Sequence, residues 1–220
     1  MVIWARDADN LTRAVEELRA GGTVADGIVA DIGCEDSIVG AFHSSLDVVG
    51  GRVDSVFANA GTNGNRGRFV DIDLDEWRRV VRINLDGTFL TFREAARHMV
   101  PAGGGALVAV TSTVAIHGAK RNHAYGASKT GVHGLVRALA TELAPDHIRV
   151  NALVPGFTLT EMSRSAYDDE KFRDHVSKRT PIRRWADPSE MGYAAVFLAD
   201  PAAVFHTGDS IVVDGGYTIF

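Results

Sequence analysis

Short apolar runs alternate along the chain with longer stretches that place their apolar residues on one helical face. The runs with strand character are VIWA, GIVADI, RVDSVF, ALVAVTS, IRVNALVP and SIVVDGG, and the two longest helical stretches cover residues 74–99 and 123–143. Apolar strands separated by helix-length crossovers are typical of a parallel sheet covered on both faces. The pattern therefore predicts an α/β fold with a doubly wound parallel sheet.

A single domain over residues 1–220 is predicted, because the chain shows no internal repeat and no linker rich enough to divide it. The polar segment 159–185 interrupts the alternation, since it carries many charges between two predicted strands. It is interpreted either as a solvated surface helix or as a lid over a substrate. Ligands lie beyond the carboxyl ends of strands in such sheets and the segment begins there, which favours the lid.

Charge and composition argue against several classes of protein. The net charge of −5 disfavours a nucleic-acid or anionic-membrane surface. No apolar run approaches the roughly 18 residues of a membrane span, and the start of the chain shows no secretory signal. The single cysteine, Cys34, allows no intrachain disulfide, and the eight histidines lack metal-binding spacings. These features predict a cytoplasmic protein without a metal, nucleic-acid or membrane partner.

The segment TSTVAIHGAKRNHAYGASK carries the sharpest chemical signal. Tyr125 and Lys129 share one face of a predicted helix, and Ser112 ends the preceding strand. A free phenol has a pKa of about 10, but a lysine ammonium one turn away, together with an oxidised nicotinamide, favours the phenolate and lowers that value. The three residues fit proton transfer at a carbonyl or alcohol oxygen during hydride transfer. The alternative is a chance YxxxK in an ordinary amphipathic helix.

Five ordered motifs decide between these alternatives. They are ANAG at 58–61, RINLDGTF at 82–89, YGASK at 125–129, VNALVPGFTLTEM at 150–162 and HTGDSIVVDGGY at 206–217. With them the chain, from residue 2 to its C-terminus, resembles the short-chain dehydrogenase/reductase family, and the 3-oxoacyl-carrier reductases within it. The resemblance implies a Rossmann-type fold and an NAD(P)-dependent oxidoreductase that interconverts a carbonyl and a secondary alcohol.

The resemblance also implies a role for each catalytic residue. Tyr125 would be the general acid and base, and Ser112 would hold the substrate oxygen. Lys129 would bind the nicotinamide ribose and shift the pKa of the tyrosine. Asn84 would hold a water that links Lys129 to solvent. The cofactor would contact, besides Tyr125 and Lys129, the residues Arg6, Asp31, Ile32, Asn59, Ala60, Gly61, Pro155, Gly156, Thr158 and Thr160.

Arg6 bears on the choice of cofactor. NAD-dependent relatives end the corresponding strand with an acidic residue that accepts from the ribose 2′-hydroxyl, but here Ala5 is followed by Arg6. A guanidinium suits a 2′-phosphate, so NADP is favoured over NAD. Asp7 leaves the choice open, because it would either pair with Arg6 or lie near the ribose.

The family pattern includes a first strand, a glycine-rich turn and a helix ahead of the run VIWARD, and the chain shows none of these. That strand would lie between residues 2–5 and 53–57, and its omission leaves a gap of about 10 Å between the flanking strands. The sheet would then close up, another chain would fill the slot, or two rows of amides would stay unpaired. An alternative function follows, namely a non-catalytic interaction or scaffold protein that binds the cofactor poorly.

The substrate is predicted only as a small carbonyl or alcohol. Residues in and beside the predicted lid suggest a partly apolar pocket, namely Phe157, Met162, Tyr167 and Phe172. The resemblance implies a homotetramer or homodimer, packed through the helices around 74–99 and 123–143 and through the C-terminal strands.

Overall fold

The computed structural model describes residues 1–220, which form six strands and eight α-helices. None of the helices combines the length and the apolar character needed to cross a membrane. The elements run in the following order: β1 Val2–Ala5, α1 Ala8–Ala20, β2 Asp26–Val29, α2 Glu35–Val48, β3 Ser55–Ala58, α3 Leu74–Val81, α4 Gly87–Ala102, β4 Gly105–Val110, α5 His123–Leu143, β5 Ile148–Pro155, α6 Arg164–Asp168, α7 Glu170–Arg179, α8 Gly192–Ala199 and β6 Ser210–Val213.

All strand pairings are parallel, and the α/β prediction is confirmed. The strands form two sheets rather than one, with β1 beside β2 in the first and the order β3-β4-β5-β6 in the second. No ladder joins β1 to β3, so of the three alternatives for the sheet, the one in which it closes up is wrong. Backbone hydrogen bonds need strands about 4.8 Å apart, and side chains rather than amides must therefore connect the two sheets.

Helix α2 provides that connection. The Trp4 ring of β1 meets the Phe42 ring of α2 edge to face at 6.4 Å, and its indole N–H donates to the Ser45 hydroxyl over 2.9 Å. Phe42 belongs to the main hydrophobic core, against which Val56 of β3 also packs. The two sheets thus share one core through α2, although they share no hydrogen bonds.

The four-stranded sheet is covered on both faces. Alternate residues of β4 point in opposite directions, so Leu107 joins the core beneath α4 and α5, and Val108 joins a smaller cluster with Leu198 of α8. Both β4 residues are fully buried. This explains why β4 and β5 appear in the sequence as continuous apolar runs rather than as alternating ones.

A π-helical segment, Arg82–Asp86, interrupts the helix that the sequence predicts over 74–99. It separates α3 from α4 and carries the buried Asn84. Extra residues of this kind in a helix often occur at functional sites, because they re-aim one side chain. Gly87 follows directly, and a Cβ there would lie 2.7 Å from the Ile32 carbonyl oxygen, so only glycine permits this close contact.

The polar segment 159–185 folds into α6, α7 and a short 3₁₀ turn at Glu161–Ser163. Four residues are predicted to form a partly apolar pocket. Three of them, all aromatic, pack against a small hydrophobic cluster of Val176, Trp185 and Tyr217. These three are Phe157, Tyr167 and Phe172. The fourth, Met162, is exposed. The cluster ties the segment to the C-terminus, and its action as a lid stays a prediction.

Candidate active site

The predicted catalytic residues meet at the edge where the parallel strands of the larger sheet end. Ser112 lies just beyond β4 and caps a 3₁₀ turn by accepting from the Val114 amide at 3.3 Å. Tyr125 and Lys129 occupy the first turns of α5, and Asn84 faces them from the π-helical segment. The topology of the sheet therefore brings side chains from three separate segments of the chain to one place.

Lys129 is buried with only one partner for its ammonium group. It is 4% exposed, and its Nζ donates to the Val110 carbonyl oxygen over 2.8 Å. Burial disfavours the charged form and lowers the pKa of Lys129 to about 8. Because an ammonium has three N–H donors and the chain supplies one acceptor, two donors remain for a ligand.

Tyr125 lies beside Ser112, and two positively charged residues, Lys129 and Arg66, influence it. The Lys129 Nζ is 5.9 Å from the centre of its ring. Burial raises the pKa of Tyr125, and the neighbouring Ser112 hydroxyl and the positive charge of Arg66 act in the opposite direction without reversing it. The lowered pKa expected from the sequence is therefore not produced by the chain's own groups. At neutral pH the phenol is protonated, as a proton donor to a carbonyl must be.

Asn84 clamps the turn after β3 against α5. Its Oδ1 accepts from the Thr62 amide at 2.8 Å, and its Nδ2 donates to the Thr62 carbonyl at 2.9 Å and to the Ser128 hydroxyl at 3.1 Å. Ser128 in turn donates to the Tyr125 carbonyl oxygen at 2.8 Å. Both amide hydrogens are used, so the side chain acts as a clamp. Its implied role in holding a relay water stays a prediction.

The turn Asn59–Gly61 touches this network directly. A Cβ on Gly61 would lie 3.0 Å from the Asn84 Oδ1 and 3.5 Å from the Lys129 Nζ. Asn59 and Ala60 are exposed beside it, at the end of β3. The glycine therefore leaves backbone, rather than a side chain, next to the ammonium group.

The segment 155–160 leaves β5 at the same edge and is held by the C-terminal part of the chain. A Cβ on Gly156 would lie 2.7 Å from the Asp214 Cα, so this contact requires glycine. Thr158 bridges to Ala186 and donates to the Gly156 carbonyl oxygen at 3.2 Å. The Thr160 amide donates to the Ser163 hydroxyl at 2.9 Å and begins the next turn. Pro155, Gly156, Thr158 and Thr160 thus form one anchored strip beside the site.

The remaining predicted cofactor residues follow the two strands of the smaller sheet: Arg6 comes directly after β1, and Asp31 and Ile32 come shortly after β2. Asp7 caps α1 by accepting from the Asn10 amide at 2.8 Å and makes no ion pair with Arg6. Asp7 therefore does not neutralise Arg6, which is exposed, and the preference for NADP over NAD stays a prediction. Asp31, also exposed, accepts from the Gly33 amide at 2.8 Å, while Ile32 contacts the start of α4.

His133 is a buried residue near the site that the sequence reasoning missed. One ring nitrogen lies 2.9 Å from the Thr111 hydroxyl and the other 3.3 Å from the Ser210 hydroxyl. It therefore connects Thr111, which lies between β4 and Ser112, to Ser210 of β6. The available signal was its spacing, since 125, 129 and 133 fall on one helical face at intervals of four.

Acid is expected to destabilise the protein through His133. Burial, aided by Arg137, lowers the pKa of His133 below its usual 6.5. The unfolded chain therefore binds the proton first, and stability that is complete above about pH 6.5 is lost as the pH falls below it. His133→Asn should cost about 1 kcal/mol at pH 7.5 through the lost bridge and should show a shallower loss of stability between pH 7 and pH 5.

Denaturant unfolding at several pH values measures both effects. His43→Asn is the matched control, because His43 is exposed on α2 and should leave the wild-type pH profile unchanged. An unchanged pH profile in His133→Asn would remove His133 as the source of the acid sensitivity.

Comparison with known proteins gives matches along nearly the whole chain. A family model described as enoyl-(acyl carrier protein) reductase matches residues 1–218. The cis-4-hydroxycyclohexanecarboxylate dehydrogenase of Sinomonas cyclohexanicum is 38% identical over 97% of this chain and 84% of that protein. The galactitol 2-dehydrogenase (L-tagatose-forming) of Cereibacter sphaeroides is 36% identical over 100% of this chain and 85% of that protein.

Solved structures agree. The crystal structure of a gluconate 5-dehydrogenase from Burkholderia cenocepacia J2315, in complex with NADP and tartrate, matches with a TM-score of 0.92 at 32% identity, covering 100% of this chain and 85% of that one. The relatives are dehydrogenases, and they lend no support to a non-catalytic scaffold. The chain therefore belongs to the short-chain dehydrogenase/reductase family and is an NAD(P)-dependent oxidoreductase.

Proposed function

We propose that the protein interconverts a small ketone and its secondary alcohol by hydride transfer with NADP, using Tyr125 as general acid and base. The observation that carries the proposal is the pair at the strand edge, in which a half-buried, protonated Tyr125 lies beside Ser112 and the buried Lys129 ammonium, with two uncommitted donors, lies over its ring. Carbonyl reduction requires a proton donor, here Tyr125, and a group that holds the carbonyl oxygen, here the Ser112 hydroxyl. The Lys129 ammonium would bind the hydroxyls of the cofactor ribose.

The residues of the site fit a dinucleotide. The two remaining Lys129 donors suit ribose hydroxyls, and the bare backbone at Gly61 leaves room beside them. Asn59 and Ala60 would line the adenosine ribose. The adenine would lie near Asp31 and Ile32, and the nicotinamide near the anchored strip, namely Pro155, Gly156, Thr158 and Thr160. The cofactor supplies the hydride, and Thr160 would lie at its carboxamide or its pyrophosphate.

Tyr125 and Ser112 have different roles in the proton transfer. In reduction, Tyr125 donates its phenolic proton to the carbonyl oxygen while the Ser112 hydroxyl donates a hydrogen bond to that oxygen. In oxidation, the tyrosine must first lose its proton, which its raised pKa opposes. Reduction is therefore favoured at neutral pH and oxidation at alkaline pH, where the phenolate forms more readily.

Titration of the purified 220-residue chain with NADPH, followed by reduction of a cyclic ketone, tests the function. Saturable binding with ketone-dependent loss of NADPH absorbance supports the enzyme. No saturation at millimolar NADPH, with no turnover, contradicts it.

Arg6 is proposed to select NADP by pairing with the 2′-phosphate. Arg6→Ala is expected to weaken NADPH binding by about tenfold or more, since a charge-assisted hydrogen bond is lost, and to leave NADH binding unchanged. Arg13→Ala is the matched control, because Arg13 lies on the adjacent α1 and carries the same charge. Fluorescence titration measures both affinities, and equal losses for NADPH and NADH would sink the assignment.

The relatives are named for substrates of two classes, acids and neutral polyols. The names of two relatives point to acids, cis-4-hydroxycyclohexanecarboxylate and gluconate, whereas galactitol is a neutral polyol. A homotetramer or homodimer and a cytoplasmic location are further parts of the proposal. Assembly is supported by exposed apolar residues on and near α8, where Tyr193 is 88% and Val196 71% exposed.

A further inference from the structure

We propose that Arg66 binds a carboxylate on the substrate, so that this enzyme acts on hydroxy and keto acids in preference to neutral polyols. The inference rests on the proposed function, because it names the substrate class of the same site. Arg66 lies in the loop that connects β3 to α3.

The loop holding Arg66 is anchored at several points. Asn84 binds both the amide and the carbonyl of Thr62, and the Asn65 amide donates to the Glu76 carboxylate at 2.7 Å. Gly64 has a positive φ of 67°, and a Cβ there would clash with the Val80 side chain. Only glycine allows the loop to press this closely on α3. Arg66 thus projects from a backbone whose position is defined.

The loop also forms one wall of the cleft over Tyr125. Asn63, Gly64 and Asn65 line this cleft together with Tyr125 and His123. The Asn63 side chain donates to the Met162 carbonyl oxygen at 3.3 Å, which connects the loop to the segment 159–185. Arg66 directly follows the residues that line the cleft, and its positive charge acts on the Tyr125 phenol.

The guanidinium of Arg66 makes no ion pair and no hydrogen bond within the chain, whereas arginines close to it do. Arg79 is held by two hydrogen bonds to Glu76, at 2.7 and 2.9 Å, and Arg68 lies 3.8 Å from Asp71. Glu76, the carboxylate that accepts from the Asn65 amide, is therefore already neutralised by Arg79. Arg66 therefore remains an exposed, uncompensated cation that directly follows the loop residues lining the cleft over Tyr125.

A carboxylate on the substrate supplies the missing counter-charge. The planar guanidinium offers a fork of N–H donors that matches both carboxylate oxygens. A keto acid would place its ketone oxygen at Tyr125 and Ser112 and its carboxylate at Arg66. A neutral polyol would gain only ordinary hydrogen bonds there, so the cation discriminates between the two classes seen among the relatives.

Equilibrium binding of two unreactive isosteres, cyclohexanecarboxylate and cyclohexanecarboxamide, tests the proposal on the full chain by calorimetry. The wild type is expected to bind the carboxylate about tenfold or more tightly than the amide, the range of a charge-assisted hydrogen bond. Arg66→Ala should bring the two affinities to within about twofold. Arg68→Ala, which removes the same charge from the same loop, should keep the wild-type preference.

Kinetics provide the second measurement. Arg66→Ala should raise the KM for 4-oxocyclohexanecarboxylate by about tenfold and leave the KM for 4-oxocyclohexanecarboxamide unchanged. The proposal is overturned if the wild type fails to bind or to prefer the carboxylate, or if Arg66→Ala retains the preference. Carboxylate preference without turnover would instead contradict the proposed function and leave the anion site standing.

Discussion

Tyr125→Phe is expected to lower the turnover of ketone reduction by about 10² to 10⁴, the usual contribution of general acid–base catalysis. The substitution removes only the phenolic oxygen. The aromatic ring that faces the Lys129 ammonium at 5.9 Å is kept, so the packing of α5 against the strand edge should be unchanged. Because the oxygen of a carbonyl whose carbon receives a hydride must gain a proton, loss of the group that supplies this proton affects the chemical step rather than binding.

Steady-state kinetics and NADPH titration separate these effects. The dissociation constant for NADPH should stay close to the wild-type value while turnover falls. Tyr167→Phe is the matched control, since Tyr167 packs edge to face on Trp185 in the segment 159–185 and should retain its activity. Substantial activity in Tyr125→Phe would remove the tyrosine from its proposed role.

Lys129→Met is expected to stabilise the fold at neutral pH while it abolishes activity. The pKa of Lys129 falls from 10.5 to about 8, and at 1.36 kcal/mol per unit the buried charge costs about 3 kcal/mol below pH 8. Methionine removes this charge but also removes the donor to the Val110 carbonyl, which offsets part of the gain. The net gain at pH 7 should be about 1 to 2 kcal/mol.

The stability gained in Lys129→Met should depend on pH. Between about pH 8 and pH 10.5 the folded chain has released the Lys129 proton and the unfolded chain still holds it, so the stability of the wild type rises with pH. The advantage of Lys129→Met should therefore shrink over that interval. Denaturant unfolding measures it, with the exposed Lys120→Met as control. A variant less stable than the wild type at pH 7 would contradict the assigned cost of burial.

The two variants together describe how the site is built. Desolvation favours the neutral form of both side chains, because it raises the pKa of Tyr125 and lowers the pKa of Lys129. The ammonium keeps two donors free only because the fold supplies one acceptor. A fold that holds an under-satisfied cation at its active site gives up stability for the capacity to bind a ligand there.

Much of the fold is predictable from residue patterns. The apolar runs identified all six strands, and the residues 123–143 predicted as a helix coincide with α5, because buried strands and amphipathic helices leave periodic signals. The interruption at Arg82–Asp86 leaves no such signal, since π-helical and α-helical turns bury the same residue types. The location of the aromatic residues of 159–185 was likewise hidden, because a pocket and a small hydrophobic cluster use the same side chains.

Sequence by itself determined which groups are the candidates for the chemistry, since Ser112, Tyr125, Lys129 and Asn84 each stand in a motif of the family that the chain resembles. Only the tertiary structure decided how those groups behave. The direction of the Tyr125 pKa, the one-partner burial of Lys129 and the uncompensated charge of Arg66 each depend on desolvation and on partners distant along the chain. The two separate sheets, joined through Trp4 and Phe42, depend in the same way on contacts that no local pattern encodes.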